Sequence, residues 1–118
     1  MRSIHEFANI CLHRSPIDGR KSINGLSSIA QHGMEKNPFH GGLFVFINKK
    51  GDMIRILYWD RSGFAMWMKR LEREKFSWPF SSDEDVISMS STELAWLLDG
   101  FDITRMKPHQ TLHFDTVS

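Results

Sequence analysis

Six histidines, one cysteine and a contiguous trio of carboxylates are the side chains of this sequence that could do covalent or metal chemistry. His109 and His113 stand four apart, but they follow Pro108 in a stretch without helical periodicity. No cysteine pair and no His-Glu-x-x-His pattern accompanies them, so no metal site is expected. Asp83, Glu84 and Asp85 lie side by side in a polar loop. Phosphoryl transfer needs carboxylates converging from separate elements, so the trio reads as a solvated acidic turn. His40, beside Gly41 and Gly42, is a lone loop histidine. Nucleophile elbow, glycine-rich phosphate loop and Cys/His pairing are all missing. Cys11 can form no intrachain disulfide and reads as a small core residue. No catalytic set and no cofactor are expected.

Binding chemistry has better material. Net charge is +1, yet the charges are unevenly placed. Residues 1–48 sum to +2, residues 49–75 to +4 and residues 76–118 to −5. The basic middle offers Lys49, Lys50, Arg55, Lys69, Arg70 and Arg73. Clustered Lys and Arg without a base-reading motif suit a phosphate backbone, which is neutralised by charge alone. The same asymmetry also fits a solvated face, or internal pairing between the basic middle and the acidic C-terminal part.

The elements that must position these residues can be read from periodicity. "SPIDGR" (residues 15–20) is a turn-and-cap signal, with Asp18 or Ser22 as N-cap of a helix. That helix places Ile23, Leu26, Ile29, Ala30 and then Met34 on one face. "EKNPFHGG" (residues 35–42) breaks it. "LFVFINKKGDMIRILYWD" (residues 43–60) is a β-hairpin turning at Lys50-Gly51. Its register sets Ile47 opposite Ile54, Val45 opposite Ile56 and Leu43 opposite Tyr58 on an apolar, core-facing side. The other side pairs Phe44 with Leu57 and Phe46 with Arg55, a cation–π arrangement. Phe64, Trp67, Met68 and Leu71 fit the i, i+3, i+4, i+7 template and predict an amphipathic helix from Ser62 to Glu74, with Lys69, Arg70 and Arg73 off its stripe. "KFSWP" predicts a short strand stopped by Pro79, and "VISMS" a strand or extended link. In "SSTELAWLLDG", Ser90 and Glu93 form a capping box, Leu94, Leu97 and Leu98 a buried stripe, and Gly100 a left-handed cap.

A chain of 118 residues is expected to be one domain over residues 1–118, with its core between 15 and 105 and a loose tail over 106–118. Apolar residues make up 41% and charged residues 25%, an ordinary globular composition. No apolar run reaches the ~18 residues of a membrane span, and the N-terminus has no sustained apolar segment of the signal-peptide kind. Cytoplasmic residence is the expectation. The fold class expected is α+β, a small antiparallel sheet around the central hairpin packed with about three helices.

Three stretches together carry a family resemblance. "PIDGRKSINGL", "NPFHGGLFVFINKKGDMIRILYWDRSGFAMWMKRLEREKFSWP" and "SSTELAWLLDGFD" resemble the accessory protein family (TnpB, Orf2-like) of insertion sequence 66 transposons, over residues 15 to about 102. The RNA-guided nuclease sharing the TnpB label is a different protein. The resemblance implies a non-catalytic protein acting beside a separate DDE-type transposase, with no catalytic residues to carry over. The family has Asp-Met-Arg-Lys where this chain has "DGRK", so Gly19 departs from the pattern. Arg20 and Lys21 keep its basic pair and join the candidate contacts. Two functions follow. One is a transposition factor binding DNA, at the element ends, through the basic block. The other is an adaptor docking on the transposase through the acidic C-terminal third or an aromatic patch, without touching DNA.

Overall fold

The computed structural model describes Ile4, Phe7 and residues 9–34 and 41–100. The expected loose tail, His40, His109 and His113 lie outside the described residues.

Five strands form one mixed sheet. They are β1 (Asn9–His13), β2 (Gly42–Ile47), β3 (Met53–Asp60), β4 (Gly63–Arg70) and β5 (Val86–Met89), in the order β4-β3-β2-β1-β5. The β2–β3 hairpin has the register read from the sequence, from Phe44 opposite Leu57 to Ile47 opposite Ile54. The sheet is not wholly antiparallel, because β1 runs parallel to β2. A parallel neighbour needs a crossover, and the helix after β1 supplies it. This helix is α1 (Ile23–Ser28), continued by a π-helical turn over Ile29–Gly33. Ser22, not Asp18, is its N-cap, its hydroxyl accepting from the Gly25 amide. The second helix, α2 (Ser91–Leu98), carries the expected capping box, and Gly100 beyond it has φ +92°.

Both sheet faces are covered, so the molecule has three layers. On one face Ile10, Leu12, Leu43, Val45, Ile47, Ile54, Ile56 and Tyr58 pack with Leu94, Leu97 and Leu98 of α2. Phe76 and Trp78 join them from the segment between β4 and β5. On the other face Cys11, Phe44, Phe46 and Leu57 pack with Leu26, Ala30 and Met34. Two-sided burial explains why β2 reads as a continuous apolar run. Cys11 is the buried core residue expected of it.

Three expectations need correction. Residues 62–74 are not a helix: β4 pairs with β3 over eight consecutive residues, from Met53 opposite Arg70 to Asp60 opposite Gly63. The apolar residues satisfy both periods. Phe64 and Met66 pack under α1 while Ala65 and Trp67 pack on the α2 face, so period two wins once β3 offers a partner. With that helix gone, two helices cover the sheet instead of about three. "KFSWP" is no strand. It is an extended strap whose Phe76 amide donates to Gly51 O (2.9 Å) and whose Trp78 Nε1 donates to Arg14 O (2.9 Å).

Candidate nucleic-acid interface

Strand directions gather the basic residues. The C-terminal ends of β2 and β4 and the start of β3 lie at one end of the sheet, the hairpin end. Three segments distant in sequence meet there: the loop before α1 (residues 18–21), the hairpin loop (residues 49–52) and the start of the strap (residues 71–75).

Asn48 builds the hairpin loop. Its Oδ1 accepts from the Gly51 amide (2.9 Å) and the Met53 amide (3.0 Å), and its Nδ2 donates to Asp52 Oδ1 (2.7 Å). The Asn48 amide donates to Met53 O, which leaves a four-residue loop, Lys49–Asp52, in place of a two-residue turn. Gly51 takes φ +83°, as the turn chemistry requires. The strap holds the loop from the other side. The Leu71 amide donates to Asp52 O (2.8 Å), and the Lys75 side chain lies against Gly51, where an added Cβ would meet its Cδ at 3.7 Å.

The 18–21 loop approaches on the α1 face. The Arg20 backbone amide and guanidinium both donate to the Asp18 carboxylate, at 2.9 to 3.2 Å. These bonds, with Lys49 nearby, bring the Asp18 carboxyl down to about 2. Asn48, and then Lys50 and Arg70, hold the Asp52 carboxyl below its usual range. The Ile17 amide, just before the 18–21 loop, donates to Ile47 O (2.8 Å), and the strap bonds to Gly51 and Asp52, so all three segments are fixed around the same hairpin.

The structure sorts the eight candidate residues into two groups. Lys49, Lys50, Arg20, Lys21, Arg70 and Arg73 are exposed at this end. Lys50 pairs with Asp52 at 3.7 Å and Arg70 with Glu72 at 3.3 Å. The Arg70–Glu72 pair is exposed on both sides and therefore weak, and the Lys50 ammonium is itself exposed although Asp52 is partly buried, so both cations are available to a stronger anion. Arg55 and Lys69 are taken up by the fold. Arg55 is 2% exposed and, instead of stacking on Phe46, donates to the carbonyl oxygens of Lys21 and Asp18. Burial lowers its pKa from the usual arginine value. Lys69 Nζ donates to Leu98 O (2.8 Å), satisfying the C-terminal end of α2. Lys75 belongs with the exposed group, although only its place in the basic block marked it. The three segments hold six basic side chains, and Arg70 at the end of β4 makes a seventh, against four carboxylates, Asp18, Asp52, Glu72 and Glu74.

The acidic trio lies at the same end of the sheet, beyond β1. β5 begins beside His13, where β1 ends. Arg14 ties it down: Nη2 pairs with Asp85 at 2.9 Å and Nε donates to Glu84 O at 2.9 Å. Ion pairing with the acidic part therefore runs, among the described residues, through Arg14 and not through the basic block. Among the described residues no group of three or more His, Cys, Asp or Glu side chains could hold a metal ion. Also among them, no helix is long and apolar enough to cross a membrane.

Fold and site define a small α+β protein whose distinctive surface is a basic sheet end built by three converging loops. The chain belongs to the IS66 Orf2-like family, whose family model matches residues 8–108. It is similar to "Uncharacterized protein y4jC" of Sinorhizobium fredii (strain NBRC 101917 / NGR234), 37% identical over 98 residues that cover 83% of each chain. "Uncharacterized protein y4hO" of the same strain is 34% identical over 85 residues, 72% of this chain and 73% of that protein. No solved structure matches. Family membership makes the protein a transposition-associated accessory protein.

Proposed function

We propose that this protein acts beside the transposase of an insertion sequence 66 type element as a non-catalytic factor, binding DNA phosphates through the hairpin end. Lys49, Lys50, Arg20, Lys21, Arg70 and Arg73 are the contacts, joined by Lys75. The observation that carries the reading is their convergence: Arg20, Lys21, Lys49, Lys50, Arg70, Arg73 and Lys75 are exposed on three segments, widely separated in the chain, that are bonded to the β2–β3 hairpin at one end of the sheet. Most of their carboxylate neighbours are themselves exposed, so a polyanion can displace them. The segments carry no base-reading motif, so affinity is expected to be salt-dependent and tolerant of sequence.

Exchanging Lys49 and Lys50 for Gln tests this. Both are exposed and the loop rests on Asn48 and Gly51, so stability should change by less than about 0.5 kcal/mol. The dependence of log affinity on log salt should become shallower by about one unit per lost phosphate contact, equally for unrelated DNA sequences. Wild-type protein that fails to bind DNA at low salt would overturn the reading. The adaptor function would then take its place, tested by pull-down of the transposase with and without element-end DNA.

A further inference from the structure

We infer that Arg55 is a positioning residue for the interface, holding the 18–21 loop so that Arg20 and Lys21 stand beside the hairpin tip. The inference rests on the DNA-binding reading of this surface. Arg55 sits in the middle of the sheet, opposite Phe46 on β2 and Met68 on β4. Its side chain faces the α1 layer, among Phe44, Phe46 and Leu57. An apolar residue would suit that layer, since replacing a buried charge by a well-packed apolar side chain is often neutral or stabilising. What the guanidinium alone supplies is a rigid fork reaching two backbone carbonyls at once, those of Asp18 (3.0 Å) and Lys21. These carbonyls bracket Gly19 and Arg20. The loop is further closed by the Lys21 amide donating to Asp18 O (3.0 Å). The chain is also tied to the sheet just before the loop, where the Ile17 amide donates to Ile47 O (2.8 Å), but over residues 18–21 themselves the hydrogen bonds to the sheet, among the described residues, are those of Arg55. At 2% exposure Arg55 touches no phosphate itself, yet its positive charge lies directly beneath the loop that does.

Arg55→Lys tests the assignment, because lysine keeps the charge but is a point donor that cannot span both carbonyls. Amide hydrogen exchange over residues 19–22 should quicken in the variant, while the β2–β3 ladder stays protected. Affinity for a short DNA duplex of mixed sequence should fall, with the salt slope reduced by up to about two units, the share of Arg20 and Lys21. In an Arg20→Gln, Lys21→Gln background the same change should have no further effect, because its action runs through those two residues. Unaltered exchange over 19–22 in Arg55→Lys overturns the inference, whatever DNA does. So does a loss of affinity that adds fully to that of the Gln pair. If wild type binds no DNA, the proposed function falls on that result alone, and the exchange measurement still decides whether Arg55 holds the loop. Arg55→Met, which suits the apolar layer, provides the same readouts if the lysine variant does not fold.

Discussion

Single side chains decide the geometry of this interface. Asn48 is the plainest case, a part-buried amide with all its visible bonds directed into the loop that follows it. A hydrogen bond contributes about 1 kcal/mol net, and a buried group left without its partner costs more. Asn48→Ala is expected to destabilise by about 2 kcal/mol in urea melts and to loosen Lys49 and Lys50 together. Asn48→Asp keeps the acceptor for Gly51 and Met53 but sets a second carboxylate against Asp52, and should recover only part of the loss. The contrast with Lys49 is instructive. Its neighbour in sequence has nearly the same polarity, yet one residue shapes the loop and the other is presented by it.

At the scale of elements, β4 is the segment that periodicity reads as a helix and the structure makes a strand. Met68 separates them, being 53% exposed on the edge strand. Threonine is favoured on a pleated edge and disfavoured in a helix, with host effects of up to about 1 kcal/mol in strands. Met68→Thr should therefore leave the melting temperature unchanged or raise it, whereas a drop would restore the helical reading of residues 62–74. The α2 helix shows the opposite situation, with local signals that agree. Ser90 Oγ accepts from the Glu93 amide (3.1 Å) and the Glu93 carboxylate accepts from the Ser90 amide (3.0 Å). Ser90→Ala should cost about 1 kcal/mol in a thermal melt.

Across the whole molecule, the sheet end is electrically two-sided. Lys49, Lys50, Arg70 and Arg73 lie toward the β4 edge, and Asp83, Glu84 and Asp85 toward the β5 edge. An approaching polyanion feels both, with the acidic side opposing the basic one at low salt. Asp83→Asn with Glu84→Gln spares the Arg14–Asp85 pair and removes two exposed charges. DNA affinity should rise in low salt, and the gain should fade as the Debye length shrinks from about 10 Å at 0.1 M to about 3 Å at 1 M. An unchanged affinity at every salt concentration would place the bound DNA away from this end of the sheet.

The sequence by itself determined whatever depended on neighbours along the chain. The hairpin register followed from a turn placed at Lys50-Gly51, where glycine is free at positive φ, and the cap at Ser90 from its side-chain oxygen, while the first helix's cap was narrowed to Asp18 or Ser22. The resemblance to the family also lay in contiguous motifs, and the family match confirms it. Tertiary structure decided whatever depended on partners remote in sequence. β1 pairs in parallel with a strand some thirty residues on, and nothing local in Asn9–His13 announces a parallel neighbour. In β4, helix and strand periodicities both fit, and only the β3 edge broke the tie. Arg55 and Lys69 read as surface cations because lysine and arginine so seldom lie buried, yet Arg55 is buried and Lys69 half-buried, and their partners are backbone carbonyls of Asp18, Lys21 and Leu98. A carbonyl oxygen belongs to every residue, so no residue type marks it in advance, and only the folded chain shows which ones a buried cation reaches.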